Sequence, residues 1–135
     1  MALNLYLKDQ PDYSDLDLDF FPNPATKDVS KKIGAEAIKR SVRNIIFTNF
    51  YEKPFQPKFG SGVRKLLFEN CTPMTAALIQ DAIEAALVNF EKRIQISKLN
   101  VSADPDNNGF NVYLEYIILN RQLSVVTSLF LERVR

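Results

Sequence analysis

The sequence predicts an α+β domain in two layers, with N-terminal helices packed on a C-terminal three-stranded antiparallel sheet. Three observations predict it. Apolar residues recur at helical spacing between residues 31 and 90, they switch to alternation from Ile94 onward, and Asp104-Pro105-Asp106-Asn107-Asn108-Gly109 interrupts the alternating stretch as a turn would. With 135 residues the chain has length for one hydrophobic core, not two.

Residues 1–27 read as an acidic, proline-containing arm ahead of a domain spanning 28–135. Asp9, Asp12, Asp15, Asp17 and Asp19 face Lys8 alone, and Pro11, Pro22 and Pro24 interrupt regular structure. Within it, Asp15 to Phe20 alternates, which predicts Leu16, Leu18 and Phe20 on one face of a strand and the aspartates on the other. Such an arm can lie on its own domain or on a partner. A calcium loop begun at Asp15 would place Asp17 and Asp19 correctly, but Phe20 stands where the glycine turn belongs and Thr26 where the bidentate glutamate belongs.

From Lys31 to about Phe47, Ile33, Ala37, Ile38, Val42, Ile45 and Ile46 predict an amphipathic helix, capped by Asp28 or Ser30. Its outer face carries Lys32, Lys39, Arg40 and Arg43, which suits solvent or an acidic partner. Between Phe47 and Gly62, Pro54, Pro57, Gly60 and Gly62 alternate with Phe50, Tyr51, Phe55 and Phe59, the pattern of a tight loop with apolar anchors. It leads into a short helix from Val63 to Glu69, with Val63, Leu66 and Leu67 inward. Gly60-Ser61-Gly62 lacks the spacing of a phosphate-binding loop and reads as a turn, with Ser61 able to cap that helix.

Thr72-Pro73 is a strong helix start, because threonine accepts from an unpaired backbone N–H and proline at the first helical position forfeits no bond. Met74, Leu78, Ile83, Leu87 and Phe90 are expected on its inward side. Cys71, just ahead, reads as a small buried hydrophobe. Ile94, Ile96, Leu99 and Val101 predict a strand with an irregular register, residues 110–119 a central strand, and residues 122–132 a third strand alternating through Leu123, Val125, Thr127, Leu129 and Leu131. A terminal strand with an open edge offers backbone hydrogen bonds to another chain.

Composition narrows the function. With no histidine and one cysteine, the chain lacks the easiest general base, the commonest transition-metal ligand and any internal disulfide, which fits a reducing compartment and predicts no catalytic residues, no metal site and no cofactor. A formal charge of +1 supplies no field for nucleic acid, and no apolar run approaches the roughly 20 residues that span a bilayer. The N-terminus lacks the basic leader of a secretory signal.

Several segments in order, Lys27-Asp28-Val29-Ser30, Lys53-Pro54-Phe55 with Pro57, Phe59-Gly60, Leu67-Phe68-Glu69-Asn70, Thr72-Pro73-Met74-Thr75 and Phe90-Glu91-Lys92-Arg93-Ile94, give the chain a family likeness. From about Lys27 to Arg133 it resembles the small lysozyme-named baseplate wedge proteins of contractile phage tails, found also in type VI secretion baseplates. The family commonly has Arg-Pro-Phe at Lys53-Pro54-Phe55 and Glu-Pro-Arg-Ile at Glu91-Lys92-Arg93-Ile94. The first difference keeps the charge without arginine's planar donors, and the second keeps the acid and the base without proline's rigidity.

The resemblance implies a structural subunit of a virion tail baseplate, assembled in the host cytoplasm, that binds other wedge proteins and starts sheath assembly by strand pairing. The partners implied are baseplate wedge proteins and the contractile sheath protein, with no nucleic acid and no membrane insertion. Glu91, Arg93, Lys53, Phe55 and Phe59 become candidates for partner docking, and Val125, Thr127, Leu129 and Leu131 for pairing with the sheath. Glu91 and Arg93 would act from one side of an extended segment on a partner, or Arg93 would satisfy the last helix carbonyls while Glu91 holds the loop. The alternatives are an adaptor of a type VI secretion baseplate, and a small cell-wall hydrolase built on Glu52, Glu69 or Glu91.

Overall fold

A computed structural model describes residues 12–134. It is a mixture of helices with a two-stranded and a three-stranded antiparallel sheet. Strand β1, Ser14–Leu16, pairs with β2, Lys31–Ile33, in the register Ser14↔Ile33 and Leu16↔Lys31. Helix α1, Ala35–Phe47, follows, then the short helix α2, Val63–Leu66, and the long helix α3, Pro73–Phe90. Strands β3, Ile94–Asp104, β4, Gly109–Ile118, and β5, Leu123–Glu132, complete the chain as a meander with β4 in the middle.

The core lies between the helices and one face of this sheet. Ile38, Val42, Ile45 and Ile46 of α1 and Ile79, Ile83 and Leu87 of α3 meet Val112, Leu114, Tyr116 and Ile118 of β4 and Leu131 of β5. Those α1 positions are the ones its helical spacing predicts. At the start of α3 the Thr72 side chain accepts from the Thr75 backbone N–H at 3.2 Å, with Pro73 at the first position, as the sequence predicts. The irregular register of β3 is a bulge between Ile96 and Lys98.

Five expectations are corrected. The first helix starts at Ala35 instead of Lys31, because Gly34 adopts a left-handed φ of 67° that ends β2 and opens the helix without a side-chain cap. Asp28 and Ser30 act locally instead, Asp28 accepting from the Val29 N–H and Ser30 donating to Asp17. The arm strand is three residues long, and its buried side is the acidic one: Asp17 is 2 % exposed whereas Leu16, Leu18 and Phe20 are exposed. Charge pairing, described below, reverses the alternation. The second helix ends at Leu66. Ser61 helps its entry from outside the cap position, donating to the Ile46 carbonyl at 2.6 Å and accepting from the Val63 N–H at 3.3 Å.

The fifth correction concerns α3. Its buried residues are Thr75, Ala76, Ile79, Ile83, Ala86 and Leu87, and Met74 and Leu78 face outward. Alanines at 76 and 86 let the helix lie close to its neighbours, which rotates Met74 and Leu78 away from the core. Gln80 on the same helix accepts the Val101 N–H at 3.3 Å, so α3 also covers part of the β3 edge. Cys71 is half-buried and donates from Sγ to the Gly109 carbonyl at 3.2 Å, tying the entry of α3 to the start of β4.

Candidate docking site

Where α3 gives way to β3, side chains from three distant parts of the sequence close on one another. Glu91, the residue after the helix, is 4 % exposed and accepts from Arg93 Nε at 2.7 Å and Nη2 at 2.8 Å, and from the Ser41 hydroxyl of α1 at 2.6 Å. Arg93 reaches on to Asp15 of β1, with Nη1–Oδ1 at 2.9 Å and Nη2–Oδ2 at 3.1 Å. The guanidinium therefore spans two carboxylates, and its carbon lies 5.5 Å from the Tyr13 ring centroid, within cation–π range.

The electrostatics follow from this packing. Burial pushes the Glu91 carboxyl up, but hydrogen bonds from Arg93 and Ser41 outweigh it and hold the group below the usual carboxylate range. Its bonds to Glu91 raise the Arg93 pKa further, against the opposing effect of burial. Glu91 is thus an ionised, fully engaged carboxylate, a poor candidate for the proton donor of a glycosidase. At the end of α3 the Glu91 N–H donates to the Leu87 carbonyl at 2.9 Å and Lys92 Nζ to the Val88 carbonyl at 2.8 Å, so Arg93 is not needed there.

A second ionic knot fixes the arm two residues further on, at Asp17. Buried Asp17 is bonded by Arg40 and by the Ser30 hydroxyl, with Lys32 at 3.5 Å, and Arg40 also grips Asp19. Burial pushes Asp17 up, and the Asp19 N–H, Ser30, Arg40 and Lys32 together bring it below its ordinary value. At the arm's start, Arg121 in the β4–β5 turn lies 2.6 Å from the Asp12 carboxylate. The calcium-like aspartates are accordingly occupied by cations of the chain itself.

Between arm and α1 runs an open groove of about 910 Å³. Leu16, Leu18, Phe47, Pro54 and Phe59 give it apolar walls, with Lys53, Arg40, Asp15 and Glu52 among its polar lining. Glu52 is itself turned back on the loop, accepting from the Asn49 backbone and side chain at 2.8 and 2.7 Å. Of the docking candidates, Lys53 and Phe59 line this groove together, Lys53 Nζ sitting 4.3 Å from the Phe59 ring centroid. Phe59 also packs on Phe90 at 4.9 Å, linking the loop to the end of α3. Phe55 stands apart, wholly exposed at a positive φ of 64°, and Tyr51 nearby is exposed at 68°. Asp15 and Ser41, which complete the Arg93–Glu91 cluster, escaped sequence reasoning, and only the period-two phase of the aspartates hinted at Asp15.

The remaining candidates lie on β5. Thr127 and Leu131 are buried, with Val125 and Leu129 partly so, and they form the inward side of the strand. In the order β3-β4-β5 the outer edge of β5 borders no other described strand. Among the described residues no helix is long and apolar enough to cross a membrane.

Residues 33–122 match the family described as baseplate wedge protein gp25. The baseplate wedge protein gp25 of Enterobacteria phage T4 is 39% identical over 103 residues, which is 76% of each chain. A putative tail lysozyme from Geobacter sulfurreducens superposes with a TM-score of 0.62 at 24% identity, over 74% of this chain and 93% of its own. A chain of the anti-feeding prophage baseplate gives 0.63 at 19% identity, over 92% and 88%. A chain of the post-contraction pyocin R2 baseplate gives 0.54 at 18%, over 87% and 98%. At these identities the three structures speak for the fold.

Proposed function

The chain belongs to the baseplate wedge protein gp25 family and is a structural wedge protein, and we propose that it works by offering neighbours two separate surfaces. One is the groove beside the Glu91–Arg93 corner, together with Lys53, Phe55 and Phe59, which receives other wedge proteins. The other is the open edge of β5, on which a strand of the contractile sheath protein pairs to start the sheath. The place of action is the tail baseplate, put together in the host cytoplasm.

The observation that carries the sheath half of this reading is the contrast between the two edges of the three-stranded sheet. Helix α3 takes up the Val101 N–H on the outer edge of β3, whereas no described strand pairs with the outer edge of β5 along its ten residues. Register on that edge would come from matching the alternation of Val125, Thr127, Leu129 and Leu131, since a one-residue slip of the incoming strand would turn that strand's own apolar side chains to the opposite face. The corner contributes differently: because Arg93 and Glu91 satisfy each other, they shape a rigid wall that a partner meets in place of a buried ion pair across the interface.

Proline substitution tests the edge. Successive backbone N–H groups of a strand point to opposite sides, so of Val125→Pro and Val126→Pro one removes a bond to β4 and the other removes a bond offered outward. The variant that keeps the wild-type fold by circular dichroism is expected to join wedge complexes and fail to start sheath polymerisation. Normal sheath growth on a folded outward variant overturns the strand-pairing reading.

A further inference from the structure

Helix α3 carries a second apolar face that no part of the described chain covers. Met74, Ala77, Leu78, Ala85 and Val88 lie exposed along it, Met74 at 74 %. Their spacing, with Asp81 between, is that of a seam repeating every three and four residues over about 21 Å of helix. Two of the positions are alanine, so another helix can approach the backbone closely. This face is distinct from the groove and from β5.

We propose that this face docks an amphipathic helix of another wedge protein, one that places a lysine or arginine at the middle of its own apolar seam. Charge selects this occupant. The only ionisable side chains on α3 are Asp81 and Glu84, both exposed, and no basic residue occurs between Pro73 and Phe90. Asp81 sits at the centre of the seam, seven residues from Met74 and seven from Val88. A second copy of this chain, laid parallel or antiparallel in register, would bring Asp81 against Asp81 in a desolvated contact, which disfavours self-association. A central base instead pairs with Asp81 and leaves the flanking apolar residues to bury one another. Lys92, beyond the end of the seam, donates to the Val88 carbonyl of its own chain. The inference rests on the wedge reading for its setting and on α3 alone for its chemistry.

The test places benzoylphenylalanine at Ala77 or Ala85 in the full chain, irradiates assembling tail particles, and maps the joined residues by mass spectrometry. The expected product joins α3 to a helical segment of another baseplate protein with a lysine or arginine within one turn of the linkage. Asp81→Lys should then lower incorporation into particles at least tenfold without moving the melting temperature, and Glu at the mapped basic residue should restore it. Products with a second copy, with residues 1–11 of this chain, or with a segment lacking a base overturn the proposal, as does the absence of any product in particles that incorporate the chain. Failure of the unmodified chain to enter particles would instead defeat the wedge reading.

Discussion

Arg93 and Asp15 are 78 positions apart in the chain and 2.9 Å apart in the structure, so the arm is fastened to the helix-to-strand corner by the same guanidinium that neutralises buried Glu91. The two halves of this bridge are unequal. Glu91 is shielded from water, whereas Asp15 keeps a third of its side chain exposed at 37%. Arg93→Ala leaves Glu91 buried without a counter-ion and is expected to cost about 3 kcal/mol in urea unfolding, at the low end of the range for breaking a buried pair. Asp15→Asn loses only the exposed half and should cost under about 1 kcal/mol. Equal costs would show that the arm, and not the corner, dominates.

Acid should loosen the same corner. A carboxylate held below its ordinary pKa in the folded chain contributes stability that is complete above the unfolded value, near 4.3 for glutamate, and that is lost as pH falls through the folded value. Glu91 and Asp17 both lie on that side. Melting temperature is therefore expected to fall between about pH 5 and pH 3, with Glu91→Gln already less stable at pH 7 and converging on the parent at low pH. A constant gap between the two curves across that interval would contradict this assignment.

Much of this fold is legible in local pattern and much of the site is not, for a physical reason that particular residues make plain. Thr72-Pro73 announces α3 because a cap acts within one turn, and Phe110 to Ile118 announces β4 because burial on a pleated face imposes alternation. Asp17 and Asp15 break the rule that charge faces water, since their partners Arg40 and Arg93 arrive from other elements and no spacing within the arm can reveal them. Met74 and Leu78 mislead in the opposite sense: they are apolar at helical spacing, yet the core selects Ile79, Ile83 and Leu87 on the other face. Hydrophobic pattern finds faces but does not say which of two apolar faces the chain itself will bury.

Gly60 bears on the loop that presents Lys53 and Phe55. Its φ is 124°, and a Cβ there would stand 2.4 Å from the Thr48 carbonyl oxygen, a backbone atom that cannot swing aside. Gly60→Ala is expected to destabilise the chain by about 1–3 kcal/mol and to shift the loop off the end of α1. Urea unfolding reads the first, and faster amide exchange at Ser61, whose N–H donates to that same Thr48 carbonyl at 3.1 Å, reads the second. Unchanged stability would mean that the turn is looser than its geometry indicates.

Phe55 separates folding from docking, because the two place opposite demands on it. In the isolated chain its ring is wholly exposed and its φ of 64° is one that a side chain with a Cβ adopts at a cost of about 1–2 kcal/mol. Phe55→Gly removes that strain while adding about 0.5–1 kcal/mol of unfolded-chain entropy, so the variant should be as stable as the parent or more stable by up to about 1.5 kcal/mol. Its binding should move the other way. An aromatic side chain presented on a strained turn contributes to an interface through the area it buries there, and its loss is expected to weaken association with purified wedge partners about tenfold or more. Calorimetry on the free chain and titration with those partners distinguish the outcomes: a variant that is destabilised as well as weak in binding would mark Phe55 as a structural residue of the loop, and one that binds as tightly as the parent would remove it from the docking surface.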